Sequence, residues 1–187
     1  MNTRWTILLA ALLGTSCLSN SKSSLAITKV VLGTATTNAG PPPVTTCAYD
    51  PGSNEFSYAQ IDPAANTGGT MGVVVENNLL DTSTLNPELR TNSATFHPHQ
   101  AVADYEVIGG STVTEQLIPV SGSIQSGSVG IVLVPFFSPI PATMLSGVIR
   151  ISFWIEGVLD DGSNIRTSTR EYIFVTCATA GCNSACL

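Results

Sequence analysis

The segment Ile149–Glu156 limits what this chain can become more than any other. Ile149, Ile151, Phe153 and Ile155 alternate with Arg150, Ser152, Trp154 and Glu156. Apolar side chains at every second position line one face of an extended strand, whereas in a helix they would be scattered around the axis. The cluster Asp160-Asp161-Gly162-Ser163 follows, and then a second strand-like run, Ile165–Val175. Gly supplies the positive φ that a tight reversal needs, so an Asp-Gly step between two such runs predicts a hairpin.

The rest of the chain agrees with that hairpin. Strands are predicted at Leu25–Thr34, Val44–Tyr49, Phe56–Ile61, Met71–Glu76, His99–Ile108, Glu115–Ile124 and Gly130–Phe137. Pro41–Pro43 block helix and central strand alike and predict a connector. Asp50–Asn54 is rich in turn formers and predicts a hairpin between the strands flanking it. Only Pro141–Leu145 hints at a helical turn. About eight strands with regular turn signals predict an all-β fold, an antiparallel β-sandwich of Ig-like or Greek-key type. A chain of 187 residues suits one such domain with its own core.

The start of the chain has a different character. Arg4 precedes the apolar run Trp5–Leu13, which is too short for a membrane span and fits the core of a secretory signal. Gly14-Thr15-Ser16-Cys17 ends that run with small residues and a Cys. This resembles the lipobox of bacterial lipoproteins, in which the Cys is acylated and the peptide is cut just before it. Here Gly14 occupies the place where Leu is commonest. The expected division is a signal peptide over 1–16, an acylated Cys17 with a polar tether over 17–24, and one β-sandwich domain over 25–187.

Cysteine parity agrees with that division. The chain has five cysteines: Cys17, Cys47, Cys177, Cys182 and Cys186. An odd count in an exported protein leaves one thiol unpaired. Acylation of Cys17 removes it, and the remaining four are disulfide candidates in an oxidising compartment. Three pairings are open to them. The preferred one joins Cys47 to Cys182 and Cys177 to Cys186, clamping the tail to the start of the domain.

The run SGVIRISFWIEGVLDDGSNIRTSTREYIFVTC, followed by Gly181-Cys182 and the late Cys186, resembles the C-terminal part of uncharacterised bacterial lipoproteins. The segments VVVENNL and ELRTNSATF are similar to their early strand and loop. The resemblance implies a surface lipoprotein with a β-sandwich and a Cys-rich tail. It carries no activity, cofactor or catalytic residue with it.

Charge excludes some partners. Charged residues make up 11% of the chain, against about 25% in an ordinary soluble domain. Loss of residues 1–16 removes one basic group and takes the net charge from −6 to −7. Such a chain has no electrostatic footprint for nucleic acid and is repelled by anionic lipid. Membrane attachment therefore has to come from the lipid.

No catalytic constellation stands out. No nucleophile elbow, zinc-protease helix, P-loop or dinucleotide fingerprint is present. His97-Pro98-His99 holds both histidines, and Asp104 or Glu106 would have to complete a metal site there; an exposed strand entry is the simpler reading. Asp160, Asp161 and Asn164 offer oxygens to calcium but lack EF-hand spacing, and they first make a turn. The four later cysteines could hold zinc, but export favours disulfides. Trp154 could mark a binding surface; a place within the sandwich layers is the commoner fate of such a residue. The expectation is an exported, lipid-anchored protein of the bacterial cell envelope and outer membrane. It would be a non-enzymatic binding or assembly component with envelope protein partners, without cofactor or metal. The alternatives are a hydrolase of envelope polymers and a calcium- or carbohydrate-binding sandwich.

Overall fold

The computed structural model describes residues 24–42, 44–55, 58–61, 69–79, 94–138 and 147–176. The predicted helical turn at Pro141–Leu145 lies outside them, as do Cys17, Cys177, Cys182 and Cys186. The described residues form no helix and eleven strands: β1 Leu25–Val31, β2 Thr34–Asn38, β3 Val44–Ala48, β4 Ala59–Ile61, β5 Thr70–Asn77, β6 Phe96–Val107, β7 Thr112–Pro119, β8 Val129–Pro135, β9 Val148–Leu159, β10 Asn164–Arg166 and β11 Arg170–Thr176.

The strands build two packed sheets and a ribbon. One sheet has the order β1-β5-β8. The other runs β4-β11-β9-β6-β7, with β10 also on β9, and β2 pairs with β3 alone. The alternation in β9 does what its period requires: Ile149, Ile151, Phe153 and Ile155 are all buried, and their neighbours face outward. Phe96, Ala101, Ala103, Tyr105, Tyr172 and Phe174 extend that inner face. Leu25, Ile27, Val30, Met71, Val73, Val75, Val132 and Val134 meet it from the smaller sheet, in one continuous core. β5 is central to its sheet and almost wholly buried, as its unbroken apolar run demands. The fold is thus an all-β sandwich.

Several local expectations are corrected. There are more strands than the eight or so expected, because two long runs break. The run from Leu25 ends at Val31, and Thr34 starts a new strand that leaves the sheet. The predicted hairpin across Asp50–Asn54 does not form. β3 pairs instead with β2 across the proline connector, and β4 runs parallel to β11. The reason is local. The Asp50 carboxylate accepts the Gly52 amide at 2.7 Å, Lys29 donates to the Ser53 carbonyl at 2.5 Å, and Arg170 grips both Glu55 oxygens at 2.6 and 2.8 Å. The turn is tied to β1 and β11, so the chain is led onward to the larger sheet.

The last predicted strand is split as well. Thr167 is buried between β10 and β11. Its amide donates to the Ile155 carbonyl at 2.9 Å, and its hydroxyl accepts the Ile155 amide at 3.0 Å. The side chain thus replaces a ladder bond. This frees Ser168 to bridge the sheets: its amide donates to Leu25, and its hydroxyl accepts the Ile27 amide at 3.2 Å.

Tyr172 yields a prediction. Its ring is buried in the core, yet its hydroxyl has no hydrogen-bond partner among the described residues. Tyr172→Phe is expected to raise stability by about 1 kcal/mol, since an unpaired buried hydroxyl costs more than its absence. Burial, with Glu55 adding to it, pushes the phenol up from 10.0 to about 12. The neutral form is favoured in the folded state, so this contribution is intact below pH 10 and is lost as pH rises toward 12. Urea unfolding at pH 7 and pH 11 checks both parts. A Phe variant less stable at pH 7, or no less alkali-sensitive, counts against them.

Candidate ligand-binding cleft

The outer face of the larger sheet carries the densest polar grouping of the described residues. Its geometry follows from the β9–β10 hairpin. Leu159 and Ser163 close the turn by backbone bonds, with Gly162 at φ 81°. The hairpin register then sets Arg166 opposite Glu156, Ile165 opposite Gly157 and Asn164 opposite Val158.

β6 approaches from the other side through a bulge between Pro98 and Gln100. A bulge accommodates a proline that cannot donate to the ladder. It also brings the His97 carbonyl so close to Gly157 that a Cβ there would lie 2.3 Å from it. Gly157 is the residue that lets the two strands meet here.

Glu156 is the centre of the grouping. Its Oε1 accepts the Trp154 indole N–H at 2.8 Å, and its Oε2 accepts the Gln100 amide at 2.6 Å. These two bonds hold its carboxyl below the usual carboxylate range, Trp154 contributing most. The Arg166 guanidinium lies 5.6 Å from the centroid of the Trp154 ring, within cation–π reach. His99, Glu156, Gly157, Asn164, Ile165 and Arg166 line an open cleft of about 280 Å³. Trp154 flanks the cleft, and its side chain is half-buried on the outer face rather than packed between the sheets. This corrects the expectation of an interior Trp.

The structure separates most of the other candidates. His97 turns to Asp160, at 2.6 Å, while His99 lines the cleft. Asp104 accepts the Glu115 amide at 2.7 Å, and Glu106 pairs with Arg150 at 2.5 Å. The two histidines are therefore not joined to either carboxylate. Asp161 accepts both the amide and the hydroxyl of Ser163, at 2.8 and 2.5 Å. Asp160, Asp161 and Asn164 consequently point to different partners. Among the described residues no three side chains are grouped to hold a metal ion. Cys47 stands exposed on β3 and is disulfide-bonded, and the other half of that bond lies outside the described residues.

Sequence reasoning left Gln100, Glu156 and Arg166 unassigned. Counting outward from a two-residue Asp-Gly turn would have set Glu156 opposite Thr167; the observed pairing with Arg166 comes from a three-residue reversal, Asp160 to Gly162. The Gln100 contact depends on the bulge at Pro98, for which the sequence carries no signal beyond the proline itself.

No protein-family model matches the chain, and no curated protein is significantly similar to it.

Proposed function

We propose that this chain is an exported, lipid-anchored protein of the bacterial cell envelope that serves as a non-enzymatic binding component. The observation that carries the reading is the N-terminal series: Arg4, the apolar run Trp5–Leu13, and small residues leading into Cys17. The likeness to uncharacterised bacterial lipoproteins supports the same address, as does the disulfide at Cys47, since such bonds persist in exported proteins. A lipidated Cys carries more than one acyl chain, which anchors stably where a single chain does not. The outer membrane is the proposed site, with the domain held by the tether 17–24.

Glu156 favours binding over hydrolysis at the cleft. A glycosidase needs one carboxyl that is protonated and a second carboxylate facing it. Among the described residues Glu156 is the one carboxylate lining the cleft, and its neighbours hold its carboxyl below the usual range.

Labelling with an alkyne fatty acid in a bacterial host tests the anchor. The wild-type chain is expected to take up label and sediment with membranes, and Cys17→Ala to lose both. Label that survives in Cys17→Ala, or none in the wild type, would rule out acylation at this residue.

A further inference from the structure

We infer that the cleft beside Trp154 binds a neutral oligosaccharide; the inference rests on the reading of this protein as a binding component. The chemistry of the cleft narrows the ligand class stepwise. Its lining mixes apolar surface, from Gly157, Ile165 and the side-chain stems, with the polar groups of His99, Glu156, Asn164 and Arg166, so a wholly hydrophobic ligand would leave charged groups dehydrated. Among the described residues a metal ion finds no third ligand, and both Glu156 oxygens already accept hydrogen bonds. An anionic polymer meets Glu156 and, on the same sheet face, Asp104, Glu106 and Glu171 around Arg150. The chain is acidic throughout, which adds to that repulsion.

A neutral polyhydroxylated ring meets none of these penalties. Its hydroxyls both donate and accept, and the cleft offers an ionised acceptor in Glu156 beside donors in Arg166 and Asn164. Arg166 is exposed and forms no ion pair among the described residues, so its fixed fork of donors is free to bond a pair of adjacent hydroxyls. The C–H face of a pyranose needs a flat apolar partner; the indole of Trp154 stands next to the lining residues Glu156, which fixes its edge at 2.8 Å, and Arg166, whose exposed side chain must swing off the ring for a sugar to stack there. The anchoring of the ring by Glu156 and of Glu156 by Gln100 means that the platform is set before a ligand arrives. At about 280 Å³ the cleft lies just under the usual range for drug-sized ligands, which suits one or two sugar rings along an open sheet face.

The full-length protein, purified in detergent, would be titrated with a panel of neutral hexose and N-acetylhexosamine oligosaccharides. Oligogalacturonate would serve as the charged comparison. Trp154 and Trp5 are the two tryptophans, and Trp5 leaves with the signal peptide under the proposed processing, so indole fluorescence reports the cleft. The expected result is a saturable spectral shift with at least one neutral oligosaccharide, at a Kd on the order of 0.1–1 mM. Arg166→Ala, at an exposed position, is expected to weaken that binding about tenfold or more, and Asn164→Ala several-fold. Glu156→Gln is expected to weaken it similarly and to remove its loss at acid pH, because the wild-type carboxylate is the acceptor until it protonates. Calorimetry with Trp154→Ala, checked for unchanged melting, is expected to show no heat of binding. Tighter binding of oligogalacturonate than of every neutral sugar would overturn the inference, as would no binding by the panel or binding unaffected by Arg166→Ala. In each of those cases an intact Cys17-dependent label would leave the anchored-protein reading standing.

Discussion

Phe174→Ala is expected to remove about 3–5 kcal/mol of stability, the usual cost of emptying a large aromatic site. Phe174 is fully buried on β11, and three rings surround it: Phe137 at 4.6 Å, Tyr172 at 5.2 Å and Phe136 at 6.3 Å between centroids. The first two are edge-to-face contacts, each worth about 0.5–1.5 kcal/mol beyond area burial. Phe136 and Phe137 follow β8 of the smaller sheet, so Phe174 is where the two layers interlock. Tyr105 reinforces the same place: its hydroxyl donates to the Phe136 carbonyl at 2.5 Å. The loss would be a large part of a typical total of 5–15 kcal/mol. Urea unfolding with an unchanged m-value checks it, with Phe174→Leu as the milder comparison. A loss below about 1 kcal/mol would mean that the sheets are not packed through this ring.

That interlock was only half legible in the sequence. β9 could be read because its two faces have opposite environments, core on one side and solvent on the other, and the period of two records that difference residue by residue. β5 could be read for the opposite reason, since both of its faces are covered and the run is continuously apolar. What could not be read were pairings between distant segments. Nothing in Ala59–Ile61 announces a parallel partner in Phe174–Thr176. The ties that put it there are Lys29 to Ser53 and Glu55 to Arg170, each joining residues far apart in the chain.

The cleft shows the same division. Trp154 and Glu156 lie on the outward register of a legible strand, and the Asp-Gly step brings the Arg166 strand back beside it, one residue out of the register a two-residue turn would set. Their meeting with Gln100 and His99 depends on the bulge at Pro98 and on Gly157, both of which involve a strand some sixty residues earlier in the chain. A single substitution would expose how close that meeting is. The His97 carbonyl and the Phe96 ring would lie 2.3 and 2.5 Å from a Cβ at Gly157, and a backbone carbonyl cannot swing aside as a side-chain tip can.

Loss of the disulfide at Cys47 is expected to have an effect as large as that of Phe174→Ala, by a different route. β2 and β3 form a two-stranded ribbon that pairs with no other strand among the described residues, and every residue of both is exposed. Such a ribbon is marginal by itself in water. Thr37 and Thr45 share a hydrogen bond across it at 3.0 Å, but that contact is exposed and contributes little. The bond at Cys47 is therefore a covalent tie between this exposed ribbon and another part of the chain. The preferred partner is Cys182, with Cys177 joined to Cys186. That pairing closes a loop of roughly 130 residues, for which chain entropy gives about 4–5 kcal/mol as an upper value. For a protein of this size a loss of that order lowers the melting temperature by roughly 10 °C. Melting with and without dithiothreitol measures the effect, and non-reducing peptide mapping identifies the partner. An unchanged melting temperature after full reduction would refute the stabilising clamp. A peptide joining Cys47 to Cys17 would refute both the clamp and the acyl anchor, because one sulfur cannot hold a disulfide and a thioether-linked lipid together.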